Sequence, residues 1–129
     1  MESPCLLLII SGMYIKLIYI RTTPLHIIPS TNIRLNRIQR KNLYLCMKEG
    51  VNNAIKHANP STVDVFINTD QDTTTTLLIK DDGKGIAITE RNWTGNGLTN
   101  MKDRISEIGG TMEIESVKSG TEVRFVCKV

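Results

Sequence analysis

Hydrophobic and polar positions divide the chain into two kinds of segment. Residues 14–21 (YIKLIYIR) concentrate β-branched and aromatic side chains and predict a strand. Pro24, Pro29 and the Ser-Thr-Asn run at 30–32 predict an irregular stretch after it. A helical period then starts between Leu35 and Lys41 and runs to about Ala58, where Asn59-Pro60 stops it. Residues 62–69 alternate, with Val63, Val65 and Ile67 on one face, and predict a strand. A polar turn at 70–74 leads into a second strand over 75–80, which ends in the Gly-rich DDGKGI at 81–86. After a loop at 87–96, Gly97 opens a helix with Leu98, Met101, Ile105 and Ile108 as its apolar stripe, capped by Gly109-Gly110. Residues 111–116 and 121–129 close the chain as two strands joined by a Lys-Ser-Gly turn. Two substantial helices mixed with at least five strands predict an α/β fold, a two-layer sandwich of a mixed sheet with helices on one face.

At 129 residues the chain is one domain long, and 40% hydrophobic with 22% charged residues is an ordinary globular balance. Aromatic residues are few, so the core is expected to be Ile, Leu and Val. Cys5, Cys46 and Cys127 are odd in number and lack metal-ligand spacing, which argues for reduced thiols without a disulfide framework or zinc site. The longest apolar run, around residues 5–10, is far short of the roughly 20 residues that span a bilayer, and no secretory leader pattern opens the chain. A cytoplasmic protein is the resulting expectation. The net charge of +3 is unevenly spread. From Ser3 to Lys48 there is no acidic residue, against Lys16, Arg21, Arg34, Arg37, Arg40, Lys41 and Lys48. No aromatic ladder or nucleic-acid-binding motif accompanies these charges, so the basic arm reads as a docking face or a solvated surface rather than a nucleic-acid contact.

The longer helix has an unusual polar side. At about 100° per residue, Leu43, Tyr44, Met47, Val51, Ala54, Ile55 and Ala58 share one arc, and Glu49, Asn52, Asn53, Lys56 and His57 lie opposite. A merely solvated face favours Glu, Lys and Gln, because the Asn amide competes for backbone hydrogen bonds. Glu49 and Asn53, four residues apart, project together as a metal or phosphate site would require. In Asp81-x-Gly83-x-Gly85 the glycines permit close backbone approach to a planar ligand, with a carboxylate beside them to accept from an amino group. The same residues also suit an ordinary turn. Gly95-Asn96-Gly97-Leu98 precedes a helix, whose N-terminal amides favour anions. It matches neither the P-loop nor the dinucleotide fingerprint.

The order Glu49-x-x-x-Asn53-x-x-Lys56-His57-Ala58, Asp81-x-Gly83-x-Gly85, Gly95-x-Gly97-Leu98-x-Asn100-Met101-x-x-Arg104 and Gly120-Thr121 resembles the ATP-binding catalytic domain of two-component sensor histidine kinases. That domain is part of the gyrase, heat-shock chaperone, histidine kinase and MutL ATPase superfamily. KEGVNNAIKHA at 48–58 and GNGLTNMKDR look like the subgroup related to nitrate/nitrite sensors. The resemblance covers residues 13–129 as one domain and leaves residues 1–12 as an unassigned N-terminal remnant.

The resemblance implies ATP and Mg²⁺ as ligands and a role for each matching residue. Asn53 would ligate the Mg²⁺ that bridges the phosphates, and Glu49 would orient or activate the phosphoryl acceptor. Lys56 and His57 would approach the phosphates or ribose. Asp81 would accept from the adenine amino group, with Gly83, Gly85 and Ile86 beside the base. Gly95, Gly97 and Leu98 would form the phosphate end of the lid, and Thr121 would back the adenine site. The implied activity is a histidine protein kinase, inactive without its phosphoacceptor domain. Its partners would be a helical dimerisation and phosphoacceptor domain and, indirectly, a response regulator. That helical hairpin is not recognisable here: His26 lies between prolines and His57 within the nucleotide helix. A free-standing ATP-binding regulator of the anti-sigma-factor type is the alternative of another class, suited to the short chain. The GNGLTNMKDR segment and the short lid between Ile86 and Gly95 favour the sensor kinase.

Overall fold

The computed structural model describes residues 16–20, 23–29, 33–58, 60–83, 97–117 and 120–128. In chain order these form β1 (Lys16–Ile20), β2 (Thr23–Pro29), α1 (Arg37–Ala58), β3 (Val63–Thr69), β4 (Thr74–Asp81), α2 (Gly97–Glu107), β5 (Thr111–Val117) and β6 (Gly120–Lys128). The six strands make one sheet in the order β1-β2-β3-β4-β6-β5. β2 and β3 run parallel, with Leu25 opposite Val63 and Ile27 opposite Val65. The other neighbours are antiparallel. The sheet is therefore mixed.

The irregular stretch expected from Pro24 onward is instead a strand, β2. Proline lacks the N–H that a strand interior uses, but strand ends tolerate it. Pro24 and Pro29 lie at or next to the ends of β2, and between them Leu25 and Ile27 are completely buried in the core. The proline signal outweighed a genuine alternation of only a few residues.

Alternation sets the two faces of the sheet. Val63, Val65, Ile67, Leu77, Ile79, Val123 and Phe125 point inward with almost no exposure and form one core with α1 and α2. Burying an aliphatic or aromatic side chain of this size contributes about 1.5–3 kcal/mol. The outer face is polar: His26 Nδ1 lies 2.9 Å from Asp64 Oδ1, and Lys80 Nζ is 3.7 Å from Glu122. One covered and one solvated face is the arrangement expected of a two-layer sandwich.

α1 begins at a reciprocal cap. Asn36 Oδ1 accepts the Gln39 N–H at 2.8 Å, and Gln39 Oε1 accepts the Asn36 N–H at 2.9 Å. Leu43, Tyr44, Met47, Val51 and Ala54 are buried as the helical period requires, and so are Asn42 and Cys46 on the flank of that arc. That flank faces α2: Asn42 Nδ2 donates to the carbonyl of Arg104 at 2.8 Å, and Cys46 Sγ contacts the carbonyl of Met101 at 3.7 Å. α2 ends as expected at Gly109, whose φ is 70°. The Gly109 N–H donates to Ser106 O and the Gly110 N–H to Ile105 O, a Schellman pair.

Candidate functional site

The site is built where α1 and β4 finish together. Gln39 Nε2 donates to the carbonyl of Lys128 at 2.9 Å, and Lys128 pairs with Thr74 at the start of β4. Farther on, a β-carbon on Gly50 would sit 2.5 Å from Cδ1 of Ile79. From 39 to 50 the helix rises about 16 Å, and from 74 to 79 the strand advances about 17 Å. The two elements therefore run in the same direction over the same distance. The next turn of α1 carries Asn53 toward the end of the sheet where β4 reaches Asp81.

Asp81 is paired in register with Thr121 of β6, and both are buried. The Gly83 N–H donates to Asp81 Oδ1 at 2.9 Å. Burial pushes the Asp81 carboxyl above its ordinary value; the backbone N–H groups of Gly83 and Thr121 pull it back, and neighbouring Asp82 adds to the rise. A buried carboxylate of this kind is an acceptor held in place before any ligand arrives. Among the described residues, two buried side-chain polar atoms have no hydrogen-bond partner: Asn53 Nδ2 and Thr121 Oγ1. Such groups are costly unless something satisfies them. Both belong to residues that sequence reasoning selected.

Asp82 is a residue that sequence reasoning passed over. It follows β4 and is exposed where Asp81 is buried, and its Oδ1 accepts the N–H groups of Ser61 and Thr62 at 2.8 and 2.9 Å. It pins the segment between α1 and β3 to the end of β4. The signal available was the doubled carboxylate at a strand end.

The remaining candidates are placed as follows. Lys56 is exposed on the outward side of α1, and His57 belongs to the last turn of that helix. Gly83 is buried two residues after Asp81. Gly97 is the first residue of α2, and Leu98 packs partly buried against the core. Gly85, Ile86 and Gly95 lie outside the described residues, as does the unassigned segment 1–12. Glu49 is half-buried and lines a groove of about 250 Å³ between the helices, with Leu45, Lys48 and Asn52 from α1 and Asn100, Met101 and Arg104 from α2. The structure thus brings Asp81, Gly83 and Thr121 together at one sheet end, and Glu49 and Asn52 together in the interhelical groove.

The donor set suits a nucleotide better than a bare metal. Among the described residues, no group of three or more His, Cys, Asp or Glu side chains converges to hold an ion. The Asn53 carboxamide offers one hard oxygen, which is compatible with Mg²⁺ that keeps waters and takes its other ligands from phosphates. A buried carboxylate beside an unpartnered hydroxyl fits a heterocycle with both donor and acceptor edges.

The profile of the family described as histidine kinase-, DNA gyrase B-, and HSP90-like ATPase matches residues 38–129. The signal transduction histidine-protein kinase/phosphatase UhpB of Salmonella typhimurium is 42% identical over 89 residues, covering 69% of this chain. The matched region spans 17% of that relative's length. Among solved structures, the histidine kinase domain of the Erythrobacter litoralis EL346 blue-light activated kinase shares the fold with a TM-score of 0.69 at 17% identity, over 79% of this chain and 49% of that one. Full-length ShkA in complex with AMPPNP does so with a TM-score of 0.62 at 17% identity, over 80% of this chain and 25% of that one. With α1 from Ile38 onward, α2 and the sheet from β3 to β6 inside the matched range, the chain belongs to the histidine kinase-, DNA gyrase B- and HSP90-like ATPase family.

Proposed function

We propose that the chain is the ATP-binding catalytic domain of a sensor histidine kinase, delivering the γ-phosphoryl group of Mg-ATP to a histidine on a helical dimerisation domain. The observation that carries this reading is the pairing of the buried Asp81 carboxylate with the unpartnered Thr121 hydroxyl at the end of the sheet. In it, Asp81 accepts from the adenine amino group, Thr121 completes the polar edge, and Gly83 lets the base approach the backbone. Gly85 and Ile86 continue that wall. Asn53 would hold Mg²⁺ through its carboxamide oxygen, and the ion would supply charge neutralisation for the phosphates. Lys56 and His57 meet the ribose-phosphate side, with Gly95, Gly97 and Leu98 at the phosphate end. Glu49 orients the acceptor imidazole and holds its proton. Phosphoryl transfer needs positioning and electrostatics more than covalent help, so this short set of residues suffices. The kinase works on the cytoplasmic side, where ATP is, and a response regulator receives the phosphoryl group afterwards. Among the described residues, no helix is long and apolar enough to cross a membrane.

Thermal unfolding with and without Mg-ADP tests the reading. Ligand at 100 times its dissociation constant adds about 2.7 kcal/mol, a raised midpoint that Asp81→Asn is expected to diminish. An unshifted midpoint in the parent protein overturns the nucleotide site. A parent that shifts but never phosphorylates a helical acceptor overturns the kinase half alone.

A further inference from the structure

The contact between α1 and α2 has a defined register. Asn42 of α1 is buried, and its Nδ2 donates twice to α2: to the carbonyl of Arg104 at 2.8 Å and to Oε1 of Glu107 at 3.2 Å. Both partners are acceptors, so the amide nitrogen must be the atom that faces them. The Arg104 carbonyl is available because the last turn of α2 tightens. An unbroken α-helix would give it the Ile108 N–H, which goes instead to the carbonyl of Ile105 at 3.3 Å. One turn farther along α1, Cys46 Sγ meets the carbonyl of Met101 at 3.7 Å. A step of four residues forward on α1 thus matches three residues back on α2, and the helices run antiparallel. Because α1 holds backbone carbonyls of α2, these contacts resist sliding as well as separation. Continuing the same step brings the first turn of α2 level with residues 49 and 50 of α1. A β-carbon on Gly50 would lie 4.0 Å from Sδ of Met101. The N-terminal amides of α2, at Gly97 and Leu98, therefore open about one turn of α1 short of Asn53.

We infer that Asn42 is a positioning residue for nucleotide binding: its paired hydrogen bonds to Arg104 and Glu107 set the axial register of α2 against α1, and with it the gap between the start of α2 and Asn53. The inference rests on the nucleotide reading above, which puts phosphates between those two points. A slip of one residue would move the N-terminus of α2 by about 1.5 Å, and a misplacement of about 1 Å is already costly in a site that works by positioning. The adenine end is independent of this register, because Asp81 and Thr121 are paired within the sheet. Asn42 lies about 16 Å before Asn53 along α1, so it acts through α2 and not by touching the phosphates.

The test is isothermal titration calorimetry of the full chain with Mg-ADP and, separately, with adenosine, which has no phosphates. Asn42→Leu keeps the size of the side chain and removes both donors. It is expected to weaken Mg-ADP binding about tenfold, while adenosine affinity stays within about twofold of the parent's. Glu107→Ala, at an exposed position, breaks one of the two hydrogen bonds and is expected to weaken Mg-ADP about threefold. It carries the same comparison should Asn42→Leu fail to fold. Glu107→Gln keeps an acceptor for Asn42 and removes the charge that Arg104 Nη1 faces at 3.6 Å; it is expected to bind both ligands as the parent does. A lower thermal midpoint with unchanged Mg-ADP affinity would make Asn42 a structural tie alone and overturn the positioning role. A loss shared equally by Mg-ADP and adenosine overturns it as well, and in both cases the nucleotide reading stands. A parent that binds neither ligand overturns the nucleotide reading itself, and the positioning role with it.

Discussion

The carbonyl of Asp81 occupies the space that a β-carbon on Gly120 would need. Gly120 has a φ of 146° and opens β6, so the residue after it, Thr121, comes into register with Asp81. The close approach of the two backbones thus sets the geometry of the candidate adenine pocket. Gly120→Ala is expected to cost about 1–3 kcal/mol from backbone conformation alone, and more from the overlap. Gly109→Ala provides the comparison: Gly109 also has positive φ, but no atom lies within 4 Å of its would-be β-carbon. Urea unfolding of both variants separates conformation from contact. A Gly120→Ala cost no larger than that of Gly109→Ala would mean that β6 shifts without resistance and the approach to Asp81 is not constrained.

Much of this architecture was legible because the strongest sequence periods are also the strongest packing constraints. The alternation of Val63, Val65 and Ile67 and the helical period of Leu43, Met47 and Val51 each report burial against a single neighbour layer, and both match the structure. Asn42 and Cys46 escaped because they answer to a second neighbour. They face α2, and nothing local to α1 encodes where α2 packs. β2 escaped because Pro24 and Pro29 are punctuation in most contexts, whereas here they fall at the ends of a strand whose partners, β1 and β3, are set by tertiary structure. Asp81 and Thr121 were each ambiguous as turn residues. Only the register that pairs them, distant in sequence, turns two ordinary polar residues into one buried site.

The turn between β3 and β4 contains a conformation that its residue does not favour. Thr73 is β-branched and has φ 60°, held by Asp70, whose Oδ1 accepts the N–H groups of Asp72 and Thr74 at 2.9 Å each. A left-handed conformation costs an L-residue about 1–2 kcal/mol, a penalty that glycine does not have. Thr73→Gly is expected to stabilise the protein by up to about 1 kcal/mol, after the greater flexibility of glycine in the unfolded chain is subtracted. A chemical-denaturation midpoint that falls in the variant would show that the Thr73 side chain contributes more than its backbone strain removes.

Cys46 and Cys127 belong to the core rather than to any reactive site. Both are free and buried, and burial pushes the Cys46 thiol up to about 12, with Arg104 lowering it and Cys127 raising it further. Burial raises Cys127 as well. Since the thiolate is the nucleophile, both should resist alkylation in the native state. Iodoacetamide labelling followed by peptide mapping is expected to leave both positions unmodified until urea unfolds the domain. Rapid native labelling at Cys46 would imply that α2 opens away from α1 below the global unfolding transition.

Asp81 couples the pH dependence of folding to that of ligand binding, with opposite signs. Its carboxyl is raised in the folded state above the ordinary value of 3.8, chiefly because burial disfavours the charged form. An acid with a raised folded-state value makes its full favourable contribution to stability below the unfolded value, and that contribution is lost as pH rises through the folded one. Ionised Asp81 therefore weakens the unliganded fold at neutral pH, and acidification relieves that cost. The proposed adenine contact needs the ionised form, so nucleotide affinity should fall over the same pH interval, beginning above the usual aspartate range. Asp81→Asn is expected to remove both dependences: the unliganded midpoint at pH 7 stays equal to or rises above that of the parent, while the rise with Mg-ADP shrinks. Losing the charged acceptor should cost binding about 1–3 kcal/mol. Thermal unfolding of parent and variant between pH 4 and 7, with and without Mg-ADP, reads both effects. If the variant is destabilised and binds nucleotide as the parent does, Asp81 is a structural anchor for Gly83 and Thr121 rather than the acceptor at the base.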